Sequence, residues 1–382
     1  MKKKRRIKKS KKLLFITAIV LIIVLLGVLY FTGVFNFNKN SNKPLKLKIN
    51  TTIIESEKKI PRRMSLVAVG DSLIHGAVYM DASIGGGNYD FHKMFTDIEP
   101  LIKDYDLKYF NQETIIGGKD IGVSHYPTFN SPDEIGENLV DIGFNMVSLA
   151  NNHAMDKGER AVLYSVNFWR NQKDVMVTGQ SDSWDDRNNI PVYEMNGIKF
   201  AFLSYTYGTN GIPLPSGKEY LVNIYSDEQV KNDIDKIKDK VDVIIVAMHW
   251  GVEYTHVPTD EQRREAEYLA SLGVDLIIGS HPHVIQPVEY VGDTLVIYSL
   301  GNFISGQSPL GIDKIIGLMV GMDISVYDGK VKFEDVDYKL LYTYCTSGYR
   351  NYKVIPFENL TDDVLYNHAA IGEQYMRIVK GE

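Results

Sequence analysis

Apolar residues follow two rhythms along this chain of 382 residues. One nearly unbroken apolar run covers residues 13–31, and from Met64 onward short apolar runs alternate with amphipathic stretches. Residues 65–70, 107–111, 146–150, 241–248 and 275–279 read as buried strands, because each is short, β-prone and bounded by polar residues. Between them lie helix signals. Ser131-Pro132-Asp133-Glu134 is a capping box with proline at the first helical position, predicting a helix to about Ile142. Residues 158–172 read as a helix and 175–178 as a strand; the box recurs at Ser226 and Thr259, the latter helix stopping at Gly273. Such alternation predicts an α/β fold. Asn196-Gly197, Gly292-Asp293 and Asp328-Gly329 each separate β-prone runs, so hairpins make part of the sheet antiparallel. Two packed mixed sheets with helices outside fit this pattern, with residues 361–380 forming a terminal outer helix.

The ends of the chain divide the charge. The first twelve residues hold nine basic side chains and no acid, which leaves 33 basic against 48 acidic residues beyond residue 31, a net of −15. Nineteen mostly apolar residues after a basic tail approach the length that spans a hydrocarbon core. Residues 1–12 are therefore expected in the cytoplasm, 13–31 as an uncleaved single-pass cell-membrane anchor and 32–62 as an extracellular linker. A cleaved signal wants a shorter apolar core and an Ala-x-Ala site, and nothing like it follows Phe31. Residues 63–330 form the expected main extracellular domain and 331–382 a strand and helix extension packed on it. Cys345 is the only cysteine, so no disulfide forms within the chain and the core alone must stabilise it. An acidic domain argues against nucleic acid as a partner.

The chemistry stands at the strand ends. Ser280-His281-Pro282-His283 presents two imidazoles one residue apart across a stiff proline, which aims ring nitrogens at a divalent cation. Asp71, Glu113, Asn152-His153 and His249 follow other apolar runs. Ligands of open α/β sheets bind beyond the carboxyl ends of strands, so Asp71, Glu113, Asn152, His249, His281 and His283 are expected to converge on one or two divalent metal ions. A lone strand-end histidine is more often a hydrogen-bonded structural residue, and His92, His125, His256 and His368 keep that reading. Imidazole, carboxylate and amide donors without thiolate suit Mn, Fe or Zn, and two such cations favour hydrolysis.

Six motifs appear in order over residues 64–306: Val69-Gly70-Asp71; Asn111-Gln112-Glu113; Ala150-Asn151-Asn152-His153 with Asp156 and Gly158; His249-Trp250-Gly251-Val252-Glu253-Tyr254; Ser280-His281-Pro282-His283-Val284 with Gln286; and Tyr298-Ser299-Leu300-Gly301-Asn302-Phe303. On these residues the chain resembles the capsule-synthesis CapA/PgsA family, linked to bacterial poly-γ-glutamate and similar in turn to calcineurin-like metallophosphoesterases. The resemblance implies a four-layer αββα sandwich with metal at the strand ends. Asp71 and His283 would hold the first ion, Glu113 the bridging position, and Asn152, His249 and His281 the second. His153 would be catalytic, polarising the scissile group or protonating its leaving oxygen. Asn111, Glu253 and Asn302 are expected at substrate, although Glu253, four residues after His249, can equally orient a ligand. The phosphoesterases carry histidine two residues after the first aspartate, where this chain has Leu73; His75 is the candidate extra ligand, and both one-metal and two-metal sites stay open.

The expected function is that of a membrane-anchored extracellular metal-dependent hydrolase in the synthesis, export or anchoring of a capsular polymer such as poly-γ-glutamate. Its expected partners are the membrane, polytopic synthase or exporter subunits, and an acidic polymer or lipid-linked substrate. Two other classes fit the sequence: a non-catalytic structural partner of a polymer synthase, and a phosphoesterase with an unrelated cell-surface substrate.

Overall fold

Alternating burial along the first long strand sets the layering. In β1 (Arg62–Leu73), Leu66 and Ala68 join a core shared with a second sheet, while Val67 and Val69 join one shared with helices, the split that a two-residue side-chain period produces. The computed structural model describes residues 60–307 and 311–382; the expected basic tail and membrane anchor, and the linker up to residue 59, lie outside them. Among the described residues no helix is long and apolar enough to cross a membrane.

A ribbon of β2 (Ser83–Gly85) and β3 (Asn88–Tyr89) stands apart from two mixed sheets. In the first sheet, β1 is followed on one side by the parallel strands β4 (Leu107–Gln112), β5 (Met146–Ser148) and β6 (Met176–Thr178). The second sheet has a parallel centre flanked by two antiparallel edges, β7 (Tyr193–Met195) and β11 (Val288–Val291). That centre consists of β8 (Ile198–Thr206), β9 (Val243–His249), β10 (Leu276–Ser280) and β12 (Thr294–Ile297). The chain then returns to the first sheet. Here β13 (Asn302–Ser305) pairs in parallel with the end of β1, and β14 (Ile316–Tyr327), β15 (Lys330–Thr346) and β16 (Arg350–Pro356) extend the other side antiparallel. The three hairpin dipeptides sit between β7 and β8, β11 and β12, and β14 and β15. Residues beyond 330 therefore continue the first sheet through β15 and β16, and the helix His368–Val379 buries Tyr375 and Val379.

Leu66, Tyr109 and Met146 from one sheet meet Phe202, Ile245 and Ile278 from the other in the central core. Helices cover the outer faces. Asp133–Asp141 and Gly158–Arg170 place Ile135, Leu139, Phe168 and Trp169 on the first sheet, and Asp227–Ile237 and Asp260–Ser271 place Val230, Ile234, Ala266 and Leu269 on the second. Each of the larger of these side chains contributes about 1.5–3 kcal/mol on burial, so a disulfide-free core can hold the strand ends in place.

The Thr259 box forms in full, and Ser226 accepts from the Gln229 amide. The Ser131 box does not form. Ser131 is buried, and its Oγ lies 2.7 Å from Thr114 Oγ1, so the helix starts at Asp133 without a side-chain cap.

Candidate metal centre

The carboxyl ends of β1, β4, β5, β9 and β10 lie on one side of the parallel strands and bring the six expected ligands together. Asp71 sits within β1, not after it, at a break in register with both β4 and β13. Gly70 makes that approach feasible: a Cβ there would lie 1.8 Å from the Gly301 carbonyl oxygen, and the Asp71 amide donates to the same oxygen at 3.0 Å.

Three ligand sets of mutually close donor atoms, all within 4.8 Å of one another in each set, meet here: Asp71, Glu113 and His283; Glu113, His249 and His281; and Glu253, His281 and His283. Asn152 joins the second set, its Oδ1 2.9 Å from His249 Nε2. Glu113 belongs to two sets and is fully buried, yet neither of its carboxylate oxygens has a hydrogen-bond partner; His281 Nδ1 is likewise buried without one. A buried, unsatisfied carboxylate is strongly unfavourable unless a cation meets it, so the residues present fit a divalent ion.

Electrostatics follow the same arrangement. Burial pushes the Glu113 carboxyl well above the usual range, His283 opposing and Asp71 adding to the effect. Burial also works against charge on His283, but Glu113 and Asp71 outweigh it and hold the ring up to about 9. Burial lowers His281 to about 3, and pushes His249 down as well.

A relay of polar side chains stands behind the ligands. Tyr109 Oη donates to Ser148 Oγ, Ser148 to Asn111 Oδ1 and Asn111 Nδ2 to Asp71 Oδ1, at 2.8, 2.8 and 2.9 Å. Asn302 Oδ1 lies 3.1 Å from His283 Nδ1. Both Asn111 and Asn302, expected at substrate, are buried and hydrogen-bond to Asp71 and His283. On β9, His249 Nδ1 is 2.9 Å from Ser280 Oγ, which leaves Nε2 toward Asn152.

His153 borders a cleft of about 530 Å³ that also reaches His75, His125, Tyr126, Phe129, Glu253, Tyr254, His283 and Lys314. Its Nδ1 is 2.8 Å from Asp156 Oδ2, and the Phe129 ring packs edge-on at 4.7 Å. His75 lines the cleft but stands in none of the three ligand sets; its Nδ1 is 3.1 Å from the Leu73 carbonyl oxygen, and burial lowers the ring to about 4.

Sequence reasoning missed two residues at the end of β8. Tyr207 packs against His281 at 4.7 Å, and Asn210 Oδ1 accepts from Asn152 Nδ2 at 3.2 Å. The strand-end rule that found the others applies equally to Tyr207-Gly208-Thr209-Asn210, because β8 is a parallel strand of the second sheet. Lys314, with its Nζ 5.4 Å from the Tyr254 ring centre, carried no such signal.

Comparison with known proteins identifies the lineage. The family described as "Bacterial capsule synthesis protein PGA_cap" matches residues 65–307, and the chain belongs to it. The chain is similar to the PGA biosynthesis protein CapA of Bacillus subtilis (strain 168), 33% identical over 180 residues covering 44% of each chain. It is also similar to the capsule biosynthesis protein CapA of Bacillus anthracis, 25% identical over 259 residues, 64% of this chain and 60% of that one. The chain thus spans about half the length of the curated relatives it matches. Among solved structures, similarity extends to a phosphatase of Mycoplasma pneumoniae, with 18% identity, a TM-score of 0.47 and coverage of 74% of this chain and 95% of that one. The calcineurin-like phosphoesterase YfkN of Bacillus subtilis follows, with 15% identity, a TM-score of 0.45 and coverage of 83% and 100%.

Proposed function

We propose that this chain is a metal-dependent hydrolase that cuts or transfers a linkage of an acidic capsular polymer, poly-γ-glutamate being the polymer suggested by the family. The observation that carries the reading is Glu113: a fully buried carboxylate with no hydrogen bond to either oxygen, shared by two ligand sets beside a cleft. Asp71, Glu113 and His283 would hold one divalent ion, and Glu113, Asn152, His249 and His281 the other. When bound, such ions supply Lewis-acid stabilisation of charge on a reacting oxygen and activate water.

The chain's own groups do the rest. Asp156 holds His153 by Nδ1, so Nε2 is the nitrogen left to hand a proton to the leaving group. Asn111 and Asn302 keep Asp71 and His283 oriented. Lys314 and His125 in the cleft lining supply cationic or hydrogen-bonding contacts for an acidic chain, and Tyr126 and Tyr254 supply apolar ones. The apolar run at residues 13–31 would tether the domain outside the membrane beside a polytopic synthase or exporter, since one apolar run of that length makes no polymer channel.

The test is the purified full-length chain, stripped of metal and reloaded with Mn²⁺, Fe²⁺ or Zn²⁺, assayed on γ-glutamyl polymers and a panel of phosphoesters. Stoichiometric metal with turnover on either class supports the reading. Metal without turnover on any of them leaves the structural partner of a polymer synthase, and no metal removes the hydrolase.

A further inference from the structure

We infer that Glu253 is a metal ligand, completing the donor set of an ion at His281 and His283. The inference rests on the metal reading above and adds a ligand to it. Glu253 is the one member of the three sets that lies exposed at the cleft, and its carboxylate is within 4.8 Å of the donor atoms of both His281 and His283.

The turn carrying it is fastened to the histidine turn by backbone. Trp250 N–H donates to the Ser280 carbonyl at 3.2 Å, and Tyr254 N–H donates at 2.8 Å to the carbonyl of Pro282, the residue between the two histidines. Three non-glycine residues hold left-handed conformations in this lock: Tyr254 at φ 64°, His281 at 96° and His283 at 59°. Such conformations cost free energy for ordinary side chains and persist where the surroundings fix them. Gly251 adjusts the turn from the other side. Its φ is 85°, and a Cβ would come within 2.5 Å of the Gln262 side chain, itself fixed by the Thr259 capping box and by Gln286.

Charge balance favours the same assignment. Asp71 and Glu113 bring two negative charges to two divalent cations, and Glu253 adds a third, reducing the uncompensated positive charge in a buried site. His75 is the other candidate extra ligand, but its ring stands outside the ligand sets.

The experiment compares full-length wild type with Glu253→Gln and His75→Ala, each loaded with Mn²⁺ and with Co²⁺. The readouts are ion stoichiometry, the affinity of each ion against a competing chelator, and the visible absorption of the Co²⁺ form. Melting of the metal-free proteins checks that the exposed substitution leaves the fold intact. The expected result is two ions in wild type, one of them held at least about tenfold more weakly by Glu253→Gln with a changed Co²⁺ spectrum, and no change for His75→Ala. Affinities within twofold of wild type overturn the assignment. So does a weaker affinity with an unaltered Co²⁺ spectrum, which marks charge acting through space. Metal loss by His75→Ala in place of Glu253→Gln also overturns it. Wild type that binds no ion fails at the earlier step, and the two failures are told apart by that control.

Discussion

Asn302 orients His283: the amide Oδ1 stands 3.1 Å from Nδ1 of the ring, so the ring's Nδ1–H is held and Nε2 faces Glu113 at 3.6 Å. The amide nitrogen meanwhile donates to Gln307 Oε1 and to the Lys314 carbonyl, which stops the acceptor from swinging away. Partners of this kind tune metal affinity without touching the metal. Asn302→Ala is expected to weaken metal binding by about 10–100-fold while leaving stoichiometry at saturation unchanged. Chelator competition measures this, and an affinity equal to wild type refutes the orienting role.

Glu113 has the opposite signature, unfavourable in the metal-free site and a ligand in the proposed loaded one. Its folded-state carboxyl is raised by burial, so the folded protein holds the proton more tightly than the unfolded chain does. Metal-free stability from this group is therefore full below the ordinary carboxylate range and falls as pH rises above it. Glu113→Gln removes that loss. The metal-free variant should melt at or above wild type by up to a few degrees at pH 8, with the gap closing near pH 4. Adding Mn²⁺ should raise the melting temperature of wild type and leave the variant nearly unmoved. A metal-free variant less stable than wild type at pH 8 counts against a carboxylate destabilised by burial.

The ring of His283 predicts the pH dependence of loading. Metal needs the neutral imidazole, whereas the metal-free ring is held up to about 9. Apparent affinity should rise about tenfold from pH 7 to 8 on account of this ring and flatten above about pH 9. The sign for metal-free stability is opposite. A raised histidine pKa stabilises fully below about 6.5, and that contribution disappears as pH climbs through about 9. The melting difference between loaded and empty protein should widen across that window. Titration calorimetry in buffers of different ionisation enthalpy should also detect proton release at pH 7, and a pH-independent affinity between 7 and 8 would contradict the assignment.

Much of the positional logic was legible in the sequence, because strand ends announce themselves as breaks in apolar runs. Asp71, Glu113, Asn152, His249, His281 and His283 come from five separate runs and meet in space. Roles were harder to read than positions. Asn111 and Asn302 belong to motifs that point at substrate, but whether an amide faces the cleft or supports a ligand depends on strand register, and Asp71 pairs with both Asn111 and Asn302. Ser131 shows a similar limit: its local capping signal loses to a tertiary hydrogen bond with Thr114, 17 residues away. Tyr207 and Asn210 follow a run that reads as one arm of a hairpin, and the strand-end rule reaches them only once β8 is seen to pair in parallel with β9.

The last prediction separates proton transfer from metal binding. His153 is absent from all three ligand sets, and its Nδ1 is engaged by Asp156, which also accepts from the Phe129 amide at 2.7 Å and so has a fixed place. An imidazole held in this way keeps one nitrogen free for the reacting oxygen. His153→Ala should keep its metal complement and lose about 10²–10⁴-fold in kcat, the range of a general acid. Asp156→Asn keeps the ring but disturbs its tautomer, so kcat should fall while KM changes little. The comparison is decisive for chemistry because a leaving group of low pKa needs no proton. On an aryl phosphate with an acidic phenol, His153→Ala should recover most of its lost rate, and on an alkyl ester it should not. Equal losses on both substrates, with metal retained, would assign His153 to binding and remove it from proton transfer.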